Sequence, residues 1–193
     1  MSTDGLSVES FTNNGKSFSA IHGTTSTQIQ FFCESLSRYT LFHVARYSGL
    51  GARGRVFTSD NCGGCGTSDN WLSGYWQGNA GVAFHGGENT CQWLTTVTDV
   101  HQNNWVVSSD TSSSYRSNGV SRGSKECPHP LPSLAINRCT SDENSDFIIA
   151  DVIIVKEELT PSVIQAMETA LMLTYGFRGI FLQQYNYFDC YNY

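Results

Sequence analysis

The stretch that decides the fold class runs from Phe147 to Gly176 and reads FIIADVIIV-KEEL-TPSVIQAMETALMLTYG. Its first part, Phe147–Val155, is apolar on both faces, which predicts a strand in the interior of a sheet. The second part predicts one helix of about four turns, with Thr160 as N-cap, Pro161 as first helical residue and Gly176 at the C-terminal cap. A stripe at spacings of three and four supports the helix: Ile164, Met167, Ala170, Leu171 and Thr174.

Short strand-like segments dominate the rest of the chain, and Gly, Asn, Asp or Ser residues separate them. They are Ser17–Ile21, Thr27–Phe32, Tyr39–Tyr47, Gly54–Ser59, Trp71–Gln77, Gly81–His85, Gln92–Val97 and Trp105–Ser109. We expect a turn at His22-Gly23 between the first two. The pair Asn118-Gly119 predicts a hairpin, because both turn residues need a positive φ. Many short strands at this spacing indicate a sandwich or barrel, so we expect an all-β fold with one C-terminal helix.

The composition limits the partners of this 193-residue chain, whose length suits a single domain. The net charge is −6 and only 15% of the residues are charged. This acidic balance argues against nucleic acid as a partner, because duplex binding needs Lys and Arg to neutralise phosphates. No apolar run approaches the roughly 18 residues that a membrane-spanning helix requires.

Seven cysteines predict a protein that is secreted or displayed at the cell surface, because disulfides persist in oxidising compartments. The first ten residues, MSTDGLSVES, have no signal-peptide pattern, so we expect any signal peptide to have been removed. The Cys62-Gly-Gly-Cys65 motif could also serve a zinc or redox site. However, a second closely spaced Cys/His pair is missing and the motif lies in a polar loop, which favours a structural disulfide.

The odd number of cysteines leaves one thiol unpaired or paired between chains. Cys127 and Cys139 bracket a Pro-rich loop short enough to close, and we expect them to pair. We expect Cys62 or Cys65 to pair either with its neighbour in the motif or with Cys91. Cys33 and Cys190 could then join the C-terminal tail to an early strand.

Five segments carry a resemblance to a known family: Tyr39–Phe57, Asn70–Trp76, Gly81–Gly86, Tyr115–Val120 and Ala150–Gly176. The last is the most specific, a strand followed by an L-T-x-x-x-I-Q helix that ends in Tyr-Gly. Through these segments the chain resembles the concanavalin A-like lectin/glucanase superfamily, and within it the laminin-G-like jelly-roll modules. The resemblance implies two curved antiparallel sheets in a jelly-roll sandwich.

The resemblance also divides the chain into three parts. Residues 1–16 form an N-terminal segment, residues 17–179 form the jelly roll, and residues 180–193 form a tail. The tail, IFLQQYNYFDCYNY, is too apolar to be solvated, so we expect it to pack on the domain or on a neighbouring copy.

The enzymes that the resemblance suggests are glucanases with a Glu-x-Asp-x-x-Glu strand, which holds two carboxylates on one face. No such run occurs in this chain, and Asp151 lies alone in the middle of its predicted strand. We therefore expect a protein that is not an enzyme, although paired carboxylates from separate strands would make a glycoside hydrolase the third alternative.

A glycan or glycosylated partner is the first expectation for a ligand. Sugars are held by aromatic faces together with planar amide and guanidinium groups. The candidate ligand-binding residues are Asn70, Trp71, Tyr75, Trp76, His85, Trp93 and Arg116, with Trp105 as a further aromatic. Trp71 and Trp76 point to opposite faces of one strand, so one of them should belong to the core. The predicted function is a non-catalytic recognition or adhesion module.

Calcium is a possible cofactor, with Asp60 and Asp69 as candidate ligands beside the Cys62–Cys65 loop. Turn formation explains the same Asp/Asn pattern without a metal. The alternative function is a structural subunit of an extracellular fibre, in which the aromatic tail, residues 180–193, covers the next copy.

Overall fold

The computed structural model describes residues 3–49, 51–59, 70–86, 92–95, 98–126, 128–138 and 141–177. The strands are β1 (Ser7–Asn13), β2 (Lys16–Gly23), β3 (Ile29–Phe32), β4 (Thr40–Tyr47), β5 (Phe57–Thr58), β6 (Trp71–Trp76), β7 (Asn79–His85), β8 (Gln92–Thr95), β9 (Val106–Thr111), β10 (Ser114–Ser117), β11 (Val120–Ser124), β12 (Leu134–Ile136) and β13 (Phe147–Val155). A short 3-10 turn (Ser141–Glu143) and one helix, α1 (Pro161–Thr174), complete the described elements.

Two antiparallel sheets form a sandwich, which confirms the predicted all-β class. The seven-stranded sheet has the order β1-β2-β13-β4-β9-β10-β11, and the six-stranded sheet has the order β3-β12-β5-β6-β7-β8. As predicted, β13 is an interior strand, with β2 on one side and β4 on the other. The main core lies between the sheets, and its largest buried side chains include Trp71, Tyr39 and Tyr75.

The N-terminal segment that the sequence set apart contributes a strand to the sandwich. Strand β1 pairs with β2 through a two-residue turn, Asn14-Gly15, whose φ angles are 46° and 76°. The expected turn at His22-Gly23 does not form, since β2 continues through Gly23 to pair with Phe147. A Cβ on Gly23 would overlap the Phe147 ring, so close packing explains this glycine.

Helix α1 packs on the outer face of the seven-stranded sheet, where Phe42 and Val44 of β4 meet Ile164, Leu171 and Met172. It is the only helix longer than one turn among the described residues. Thr160 occupies the N-cap position before Pro161, as the sequence predicted.

The C-terminal end of α1 is closed by a Schellman-type turn at Gly176, whose φ is +70°. The Phe177 N–H donates to the Met172 carbonyl over 2.8 Å. Asn13 and Asn14 reach across from the β1–β2 turn and donate to the carbonyls of Tyr175 and Gly176. The hairpin at the start of the chain therefore caps the helix near its end.

Candidate functional site

Two of the predicted ligand-binding aromatics, Trp71 and Tyr75, lie in the core between the sheets. Both side chains are fully buried. The Trp71 Nε1–H donates to the Tyr39 hydroxyl over 3.2 Å, and the Tyr75 hydroxyl donates to the Ala45 carbonyl. Their polar atoms are thus satisfied internally, and neither ring is available to a ligand at the surface.

Three polar residues of the predicted set are engaged with protein partners. His85 is buried, with Nε2 2.8 Å from Asp110 Oδ1 and its ring stacked on Trp71. The Asn70 carboxamide oxygen accepts a hydrogen bond from Arg55. Arg116 Nε donates to both carboxylate oxygens of Glu168 over 3.0 and 3.1 Å. These side chains hold the fold together in the structure.

The structure brings the remaining two predicted aromatics together. Trp76 and Trp93, on β6 and β8, are half-buried with ring centroids 5.0 Å apart, and Phe84 of β7 lies 5.1 Å from Trp93. The rings meet edge to face, so they form a ridge and not one flat platform.

The calcium candidates, Asp60 and Asp69, lie outside the described residues. Within the described ranges, no group of three or more His, Cys, Asp and Glu side chains could hold a metal ion. Cys33 is disulfide-bonded. The six other cysteines are outside the described residues, so the expected pairings stay predictions: Cys62, Cys65, Cys91, Cys127, Cys139 and Cys190.

A pocket of about 570 Å³ opens on the outer face of the seven-stranded sheet, beside the C-terminal end of α1. This volume is within the range of small-ligand sites, about 300–1,000 Å³. Five asparagines line it, and we call it the carboxamide pocket: Asn13, Asn14, Asn103, Asn104 and Asn118. They come from the β1–β2 turn, the loop before β9 and the β10–β11 turn, so three separate loops build one site.

Aromatic rings form the apolar part of the carboxamide pocket. Trp105 is half-buried, and its ring stacks on Phe177 with centroids 5.9 Å apart and an interplanar angle of 29°. Phe11 meets Trp105 edge to face at 5.6 Å. Contacts with Phe177 and Phe11 fix the Trp105 ring at the wall of the pocket.

Internal hydrogen bonds fix the orientation of most of the asparagines. Asn13 and Asn14 use their amide Nδ2 groups at the helix end, and Asn118 Oδ1 accepts from the Val107 N–H over 2.9 Å. Asn103 Oδ1 accepts from Arg53 over 3.2 Å. Since each carboxamide has an oxygen and an NH₂ group, each of these four keeps a second group for a ligand.

Two arginines and one aspartate supply the charges of the carboxamide pocket. Arg122 pairs with Asp99 over 2.7 Å and donates to Ser117 Oγ. Arg46 lies above two rings, with its Cζ 5.3 Å from the centroids of Phe11 and Trp105. Burial lowers the pKa of Arg46, and the charge of Glu9 acts in the opposite direction.

Sequence reasoning named Trp105 as a candidate aromatic but missed the asparagines. Their signal was present in Asn13-Asn14-Gly15, Asn103-Asn104 and Asn118-Gly119, each at a turn next to a strand. A turn explains such residues by itself. Only the tertiary structure shows that the three turns meet.

Comparisons with known proteins give the fold. No family model matches the chain, and no curated protein matches it. A similar solved structure is domain 4 of AbnA, a GH43 extracellular arabinanase from Geobacillus stearothermophilus, in complex with arabinotriose; it is 16% identical, over 84% of this chain and 81% of that chain, with a TM-score of 0.60.

A second similar structure is the binding domain of Paraclostridial Mosquitocidal Protein 1. It is 16% identical over 88% of this chain, with a TM-score of 0.56, and this chain spans 46% of its length. Within the described part of the chain, no helix has the length and apolar character needed to cross a membrane. The likeness to both domains, together with the strand order, establishes that this chain is an all-β sandwich of the jelly-roll kind.

Proposed function

We propose that this chain is a non-catalytic extracellular recognition module that binds a glycan or a glycosylated partner in the carboxamide pocket. The observation that carries the proposal is the combination of a fixed, half-buried tryptophan with five asparagines around one open pocket. Proteins bind sugars with this combination, because the ring covers the C–H face of the sugar while amides bind its hydroxyls.

The orientation of the asparagines supports this proposal. A sugar hydroxyl is both donor and acceptor, and a carboxamide offers one group of each kind. Because internal bonds already hold Asn13, Asn14 and Asn118, a ligand would meet amides that lose little side-chain entropy on binding.

The charges of the pocket support a binding role over hydrolysis. Glycoside hydrolysis commonly uses two carboxyl groups on either side of the scissile bond. Among the described lining residues, Asp99 is the only acid, and it is ion-paired with Arg122. The described lining of the pocket thus offers no pair of free carboxyl groups.

The extracellular part of the proposal rests on the seven cysteines and the low content of charged residues. The similar arabinanase domain is described as part of an extracellular enzyme and was solved with arabinotriose. At 16% identity this likeness carries the fold alone, so the residues of the pocket must carry the choice of a glycan as ligand.

A glycan array probed with the purified chain, with and without calcium, tests the proposal. Trp105→Ala should weaken binding about tenfold or more, because the variant loses the aromatic surface that the sugar contacts. Trp93→Ala is the matched control, since Trp93 is also half-buried but lies on the other sheet, and it should bind as the wild type does. Asn104→Ala changes an exposed residue and should weaken binding without affecting the fold.

Three outcomes would contradict the proposal. Loss of binding in Trp93→Ala but not in Trp105→Ala would move the site to the ridge formed by Trp76, Trp93 and Phe84. Hydrolysis of a bound glycan would make the chain an enzyme. Absence of glycan binding, with assembly that depends on residues 180–193, would favour the structural subunit.

A further inference from the structure

We infer that the carboxamide pocket selects sugars that carry a carboxylate, and that Arg46 is the residue that binds this group. The inference rests on the proposed function and specifies its ligand class. It depends on the position of Arg46, on the pairing of the other arginines and on the net charge of the pocket.

Arg46 is held in the pocket by its surroundings. It lies on the outer face of β4, three residues after His43, which faces the interior. The guanidinium carbon is 5.3 Å from the ring centroids of both Phe11 and Trp105, so two aromatic contacts hold the side chain. The cation thus adjoins the half-buried Trp105 ring, whose exposed part we expect the sugar to contact.

Two other arginines of the seven-stranded sheet have acidic partners. Arg122 pairs with Asp99 at 2.7 Å, and Arg116 pairs with Glu168 at 3.0 Å. Among the described residues no ion pair holds Arg46, and its buried Nε has no hydrogen-bond partner. A buried donor without an acceptor is costly, and a ligand oxygen would relieve that cost.

Glu9 is the acid whose charge acts on Arg46, so its own contacts matter for the inference. Its Oε1 lies 2.5 Å from His22 Nδ1, and the Ser7 hydroxyl also donates to it. Glu9 is therefore engaged along the β1–β2 hairpin, and Arg46 keeps its charge for a ligand.

The charge of the pocket opposes that of the chain. The lining groups sum to one net positive charge, because Asp99 neutralises Arg122 and leaves Arg46. The chain as a whole carries −6. An acidic sugar would be repelled by most of the surface and attracted at this pocket, which favours binding in one place.

Guanidinium geometry favours a carboxylate as the bound group. Its planar N–H donors match two carboxylate oxygens, and the match is stronger where water is partly excluded. A neutral sugar hydroxyl would satisfy one donor without neutralising the charge. The pocket should therefore discriminate a uronic or other acidic sugar from its neutral counterpart.

The test uses matched probes on the full chain. Oligogalacturonate, a glucuronate-containing oligosaccharide and a sialylated oligosaccharide are each titrated by calorimetry beside their methyl esters, which keep the ring but lose the charge. We expect at least one acid to bind about tenfold or more tightly than its ester, with an affinity that falls as salt rises. Arg46→Gln should remove this preference, and Arg46→Lys should keep part of it.

Arg38→Gln is the matched control, because it removes one exposed positive charge just before β4 and should leave the preference unchanged. Equal affinity for acids and esters, or a preference that survives Arg46→Gln, would overturn the inference while leaving the proposed function in place. If no sugar of either kind binds, in these titrations or on the array, the proposed function fails and the inference fails with it. The acid and ester titrations on wild-type protein decide the question even if the Arg46 variants fold poorly.

Discussion

The two faces of the seven-stranded sheet hold basic side chains in opposite charge states. On the inner face, His43 is fully buried against Ser73 and Phe57, and burial lowers its pKa to about 3, so it is neutral at physiological pH. On the outer face, Arg46 of the same strand is half-buried over the rings of Phe11 and Trp105 and is charged at physiological pH. The difference teaches that the inner face accepts polar groups only when they are neutral or paired, whereas the outer face can hold an unpaired charge for a ligand.

The variant with the largest expected effect on stability tests the part of the outer face that α1 covers. Glu168 is 1% exposed and pairs with Arg116, which is 15% exposed. Glu168→Ala should lower the free energy of unfolding by about 3–5 kcal/mol, because Arg116 would lose its carboxylate partner and keep only the Gly119 carbonyl, and Ser109 would lose its acceptor. Urea denaturation measures the change.

The control for this experiment is Gln165→Ala, an exposed position on the same helix, which should change stability by less than about 0.5 kcal/mol. The double variant Arg116→Met with Glu168→Met should recover much of the loss, because it removes both buried charges. A loss below about 1 kcal/mol in Glu168→Ala would show that the covered part of the face tolerates an unpaired charge.

The second test concerns the inner face and pH. The pKa of His43 is about 3 in the folded chain and 6.5 as the unperturbed value, so below pH 6.5 the unfolded chain binds a proton that the folded chain does not. This contribution to stability is complete above pH 6.5 and is lost as the pH falls toward 3. The slope approaches about 1.4 kcal/mol per pH unit.

The free energy of unfolding, measured by urea denaturation between about pH 7 and pH 4, should therefore depend less on pH for His43→Gln than for the wild type. His101→Gln serves as the control, because His101 is exposed on the loop before β9. If the free energy of unfolding had the same pH dependence in the wild type and in His43→Gln, this result would contradict the neutral state of His43.

The smallest expected effect concerns the contact between the C-terminal end of α1 and the β1–β2 hairpin beside the pocket. Gly176 has φ +70°, and a Cβ there would collide with the Asn13 carbonyl oxygen. Gly176→Ala should cost about 2 kcal/mol and should also weaken glycan binding, because Asn13 and Asn14 would shift with the collision.

Gly15→Ala is the matched control, because Gly15 has φ +76° but a Cβ added there would meet no atom within 4 Å. It should show only the conformational cost of about 1 kcal/mol. Equal losses of stability in the two variants would mean that the contact between hairpin and helix end contributes nothing.

Local signals were sufficient to predict part of the fold. Helix α1 and the interior strand β13 each carry a pattern that extends over nine or more residues, and both predictions are confirmed. The Asn118-Gly119 hairpin is also confirmed, because its turn type depends on two residues. Strand β12 was missed, since its three residues, Leu134–Ile136, lie within what the sequence presented as a cysteine-bracketed loop.

The candidate site was less predictable, because it depends on which face of the sandwich receives each side chain. Trp71 and Trp105 are equally plausible sugar-binding residues in the sequence, yet Trp71 packs between the sheets and Trp105 borders the pocket. The pocket joins Asn13 to Asn104 and Phe177, which are far apart in the chain. No pattern within one segment could reveal that contact.

The position of β13 has a consequence for the order in which the chain folds. This strand is inserted between β2 and β4, so Ile21 and Ala45 both pair with Ile149. During synthesis, β2 and β4 each keep one unpaired edge until almost the whole domain has emerged. Folding should then be slow, because its central pairings join distant segments. These unpaired edges also make the nascent chain prone to aggregation until β13 pairs with both strands.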